Sequence, residues 1–80
     1  MSRLRLRLVF GADLVREPII WRLGRDFELV TNIRRAEVTR EEGWVMLELQ
    51  GEDQELERGV AYLGHQGVLV ETLEGDIVDK

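Results

Sequence analysis

The chain has 80 residues, a formal net charge of −5 and no cysteine. That length holds one domain whose core is small enough that stability leans on close packing or self-association. The missing thiols exclude disulfides, a cysteine nucleophile, iron–sulfur clusters and cysteine-ligated zinc.

Charge is unevenly placed. Residues 1–40 carry nine arginines against five acids, a net +4, whereas residues 41–80 carry eleven acids against Arg58 and Lys80, a net −9. If the two halves interleave in one sheet they neutralise each other, and the acidic total opposes phosphate binding. No apolar run approaches the roughly 20 residues of a membrane helix. Arginines break the N-terminal stretch at every second position, which is unlike the apolar core of a signal peptide. The expectation is a soluble, cytoplasmic protein with no membrane insertion.

The first element is a strand from Arg3 to Phe10. Leu4, Leu6, Leu8 and Phe10 alternate with Arg3, Arg5, Arg7 and Val9, the period of a half-buried strand. After a loop through Arg16, Glu17-Pro18 opens a helix, with proline at the first helical position. Ile19, Ile20, Leu23 and Phe27 form its apolar stripe, and Gly24 suits a close approach to the sheet. A second strand spans Glu28 to Thr39, with Leu29, Thr31 and Ile33 facing inward. Arg40-Glu41-Glu42-Gly43 reads as a hairpin connection into a third strand, Trp44 to Gln50. A second helix covers Asp53 to His65, capped by Asp53 and faced by Leu56, Val60 and Leu63. Gly64 and Gly67 bracket its end. Val68 to Leu73 makes a fourth strand, and Glu74 to Lys80 a short acidic tail.

The order β-α-β-β-α-β is the split βαβ, ferredoxin-like arrangement of the α+β class, with two helices on one face of a four-stranded antiparallel sheet. Crossover handedness puts the first and third strands at the centre, the fourth beside the first and the second beside the third. Arg5 and Arg7 then lie near Glu48 and Glu71 on the helix-free face. Val9, Trp44, Met46, Leu69 and Leu73 share that face, and so much apolar surface calls for a partner. Val9, Trp44, Met46 and Leu69 are the candidates for an interface, and a homodimer is expected with its geometry left open.

Catalytic signatures are sparse. Ser2 lies at the terminus and His65 is the sole histidine, so no Ser-His or Cys-His pair forms within one chain. A site shared between subunits and built from Tyr62, His65 and acids is the remaining enzymatic alternative. The pairs Glu41-Glu42 and Glu52-Asp53 lack the alternating ligand pattern of a calcium loop, and no glycine-rich phosphate loop occurs. No metal or cofactor is expected. RNA-binding domains of the same topology present two or three aromatics on the open face. Here arginines occupy those places on the first strand and only Trp44 stands on the third, which argues against nucleic acid. Asn32 stands out as a short amide inside a strand, either bonding locally or serving a site.

Several strings in order carry a resemblance. They are Leu-Arg-Leu-Val-Phe in the first strand, Glu17-Pro18-Ile19-Ile20, Asn32-Ile33, Gly43, Glu48-Leu49-Gln50-Gly51, Ala61-Tyr62-Leu63 and Gly67-Val68. Over residues 3–73 the chain resembles a NIL domain, so residues 1–80 read as one NIL-like domain. In methionine-import ABC transporter ATPases such domains are C-terminal regulators that pair much as ACT domains do and bind methionine near the interface. The resemblance implies a non-enzymatic module sensing an amino acid, methionine first, in a homodimer, with Asn32 and neighbouring Ile33 at the ligand. Where the family places leucine after Asn-Ile this chain has Arg34, a side chain expected to point away from the helices. Arg34 or Arg35 could meet a ligand carboxylate. Another NIL-bearing protein is a possible partner, and the alternative to a sensor is a ligand-free interaction or dimerisation module.

Overall fold

The computed structural model describes residues 1–74. Its elements are β1 (Ser2–Phe10), α1 (Ile19–Asp26), β2 (Val30–Val38), β3 (Gly43–Gly51), α2 (Asp53–His65) and β4 (Leu69–Glu74). The sheet is antiparallel with strand order β2-β3-β1-β4, the order that crossover handedness requires. The fold is the ferredoxin-like α+β arrangement. Among the described residues no helix is long and apolar enough to cross a membrane.

Strict alternation in β1 and β3 sets the register, because a one-residue slip would turn every leucine outward. Leu4 pairs with Leu49, Leu6 with Leu47 and Leu8 with Val45, while Arg5 pairs with Glu48 and Arg7 with Met46. The first set packs against Ile19 and Leu23 of α1 and Leu56 and Leu63 of α2, closing one core. Phe27 and Tyr62 meet in a tilted pair, ring centroids 5.3 Å apart, where the end of α1 approaches α2.

Several boundaries move by a residue or two, and the reasons are local. Pro18 precedes α1 instead of opening it, with its carbonyl accepting the Arg22 N–H at 3.0 Å. Glu52, not Asp53, occupies the N-cap of α2 and gives no side-chain cap bond. Asp53 instead accepts a hydrogen bond from Ser2 Oγ at 2.6 Å. Ser2 therefore belongs to β1 and is buried. The close helix–sheet approach falls at Gly59 instead of Gly24: a Cβ there would come within 2.7 Å of Leu29 Cδ1, against 3.6 Å to Thr31 Oγ1 at Gly24. Gly67 takes φ 92°, the left-handed turn that ends α2. β4 runs on to Glu74, so the expected tail starts inside a strand, and residues 75–80 lie outside the described residues.

β2 departs most from expectation. Its pairing with β3 slips between Ile33 and Arg35, leaving Arg34 as the extra residue of a bulge. Thr31 is half-buried and every other residue of this edge strand is exposed. Ile33, expected in the core, is 53% exposed. It shares the helix side with Leu47, its register partner. However, β2 is the edge of the sheet, and α1 borders Ile33 on one side only, through Ile20, Trp21 and Gly24.

Candidate functional site

The helix-free face is organised around Glu48. Centred in β3 and only 9% exposed, this carboxylate lies among guanidiniums from two neighbouring strands. Arg3 Nε and Arg5 Nε on β1 approach its Oε2 at 3.6 and 3.7 Å, and Arg34 Nη1 on β2 approaches its Oε1 at 3.6 Å. Alternation places Arg3 and Arg5 on one face of β1 and Arg34, two residues from Asn32, on the same face of β2, and the bulge adds Arg35 to it. Three cations converge on one acid.

Further along, Arg7 Nη1 lies 3.5 Å from Glu71 Oε1 on β4, and its guanidinium stacks 5.5 Å from the Trp44 ring. The pairs Arg5–Glu48 and Arg7–Glu71 are those that strand order requires. Between Arg5 and Arg34 is a hollow of about 280 Å³ lined by Met46, Leu6, Leu47 and Leu73. It offers apolar walls between two cations.

Sequence candidates divide between the two faces. Asn32 is opposite Glu48 in register, and Arg35 opposite Met46, so Asn32, Arg34 and Arg35 share the open face at the β2 edge. Ile33 goes to the other side, around a hollow with Ile20, Trp21, Gly24, Arg25 and Thr31. Val9, Trp44 and Leu69 meet on the open face, because Val9 pairs with Trp44 on one side and Leu69 on the other. Met46 lies one step along, beside Arg7 and Arg35.

Two features escape the sequence reading. The first is the convergence of Arg3 and Arg34 with Arg5 on one carboxylate, Glu48, which depends on the register of β1 and β2 against β3. The second is Trp21, off the apolar stripe of α1 and 60% exposed, with the Arg25 guanidinium 4.4 Å from its ring. A tryptophan on the polar side of an amphipathic helix is the signal that points to it. Arg25 also chelates Asp26 through Nε and Nη2 at 2.7 and 3.1 Å, and this holds the Asp26 carboxyl below its usual range. Tyr62 packs on Phe27 while His65 is exposed at the end of α2, and no three potential metal ligands cluster among the described residues.

A search of curated proteins gives no match. Among solved structures, the C-terminal domain of an ABC transporter ATP-binding protein from Enterococcus faecalis is similar. Its TM-score is 0.77 at 19% identity, over 91% of this chain and 86% of that one. At that identity the likeness establishes the fold. The NIL domain model matches residues 4–72, from inside β1 to inside β4, and takes in Asn32, the Arg34 bulge and Glu48. The chain belongs to the NIL domain family.

Proposed function

We propose that this NIL domain is a non-enzymatic regulatory module of the cytoplasm that binds a small amino acid, methionine first, at the β2 edge of a homodimer. The observation that carries the reading is the grouping of Asn32, Arg34 and Arg35 on one side of an uncovered edge strand, beside the nearly buried Glu48. A zwitterion leaves water only where both of its charges are paired. Glu48 offers an anion to the ligand ammonium, and Arg34 or Arg35 a cation to its carboxylate. Since Arg34 is held by Glu48, ligand entry exchanges one ion pair for two. Asn32 adds an amide, and the hollow over Met46 and Leu73 accommodates an unbranched apolar side chain.

Support for the homodimer comes from the same edge. β2 presents unpaired backbone groups, and Trp21, Val30, Ile33 and Val38 are exposed along it. Such an edge is left open only at a cost in aggregation. These residues equally favour the second reading, a ligand-free interaction module that pairs with itself or with another NIL-bearing protein. Thermal unfolding at fixed protein concentration, with and without excess L-methionine, separates the two. Ligand at about 100 times its dissociation constant adds about 2.7 kcal/mol, a rise of about 10 °C or more for a domain this small. A rise that vanishes in Asn32→Ala establishes the sensor and its site. A flat response across a panel of amino acids leaves the interaction module.

A further inference from the structure

We infer that α1 packs antiparallel against α1 of a second copy about a two-fold axis at Trp21, with Glu17 of each copy facing Arg25 of the other. The inference rests on the homodimer proposed above and assigns its geometry. Glu17, Trp21 and Arg25 recur at intervals of four, the spacing of one helical stripe, with Glu17 in the turn that leads into α1. All three lie on the β2 side of that helix. Glu17 and Trp21 border a hollow of about 170 Å³ with Val38, and Trp21 and Arg25 border a second hollow with Ile33. Trp21, Ile33 and Val38 are each more than half exposed, so the middle of the stripe is an uncovered apolar surface.

The order of charges selects the occupant. An acid one turn before the tryptophan and a base one turn after it make a stripe that complements its own reverse. A two-fold contact demands that property, because it sets the same patch on both copies. Four residues of helix rise about 6 Å, so both charges stand equally far from the axis. Glu17 then meets the partner's Arg25 at each end, and Arg16 falls opposite the partner's Asp26. Moving the axis by one residue sets Glu17 against Asp26 or Arg16 against Arg25, like against like. Within one copy Glu17 holds Arg22 at 3.0 Å and Arg25 holds Asp26 at 2.7 Å, so both ends of the stripe are ion pairs before the copies meet. The two tryptophans stack at the axis, and Ile33 and Val38 are covered beside them.

Sedimentation equilibrium of the whole chain tests the pairing by charge reversal. In Glu17→Arg two bases face each other at both ends of the contact, and in Arg25→Glu two acids do. The dimer dissociation constant of each single variant should rise by about tenfold or more. An equimolar mixture of the two variants should recover the dimer as a mixed pair, because every reversed charge then faces an unlike one. Recovery in the mixture also shows that both variants fold. Single variants that dimerise as the parent does, or a monomeric mixture of variants that each unfold cooperatively, overturn the helix pairing and leave the homodimer to another surface. A parent that is monomeric at about 100 μM overturns the homodimer and this geometry together.

Discussion

Leu29 is clamped between Gly51 and Gly59: one methyl lies 2.7 Å from where a Cβ on Gly51 would stand, and the other 2.7 Å from the same point on Gly59. The start of β2 is thus locked to the end of β3 and the middle of α2 by one side chain. Because both methyls are confined, Leu29 cannot turn from one intruder without meeting the other wall.

Gly51→Ala should therefore destabilise the domain by about 1–3 kcal/mol, as overpacked cores do. Here the new methyl also meets the Glu28 carbonyl at 2.9 Å, a backbone atom that does not swing aside. Urea unfolding measures the loss. Pairing the change with Leu29→Ala should recover none of the clash against that carbonyl, so the double variant remains less stable than Leu29→Ala alone.

Acid sensitivity has an assignable source. Glu55 accepts the Glu28 N–H at 2.8 Å and also pairs with Arg58, and the backbone bond chiefly lowers its pKa from the ordinary 4.5. Protons then bind the unfolded chain more readily than the folded one. The contribution is complete above the ordinary glutamate range and is lost as pH falls through the lower folded-state value. Asp26, lowered by Arg25, acts in the same direction. Unfolding temperature followed from pH 7 into the acid range should fall less steeply in Glu55→Gln than in the parent chain.

Glu48→Gln tests the arginine hub. Without the shared carboxylate, three guanidiniums from β1 and β2 repel one another across β3. Those arginines are about half exposed, so screening keeps the loss to about 1 kcal/mol. The diagnostic is its salt response. Added sodium chloride should narrow the gap between variant and parent, and a gap that widens would deny the repulsion.

At the β2 edge, Trp21→Ser combined with Ile33→Ser removes exposed apolar surface without touching the core. If the edge joins two copies, sedimentation should show the parent as a dimer at micromolar concentration and the variant as a monomer. Identical masses for the two would place the interface elsewhere. Monomer stability should change by no more than about 0.5 kcal/mol, as for other surface substitutions.

Element order, the leucines of β1 and β3, the stripe of α2 and the pairing of Arg5 with Glu48 and Arg7 with Glu71 were legible in the chain. Each rests on period and on crossover handedness, which act locally or through topology. Strings such as Asn32-Ile33 likewise carry the resemblance to NIL domains. Tertiary structure alone decided three matters. The bulge at Arg34 arises where β2 meets β3 and sets Arg35 on the same face as Asn32, which depends on strand partners distant in sequence. Ile33 has the period of a core residue and remains exposed because it lies on the edge strand, with α1 beside it on one side only. Ser2 and Asp53, 51 positions apart, meet because β1 and α2 begin at the same end of the sandwich. Periodicity reports which way a side chain faces; only the packed fold reports what is there to meet it.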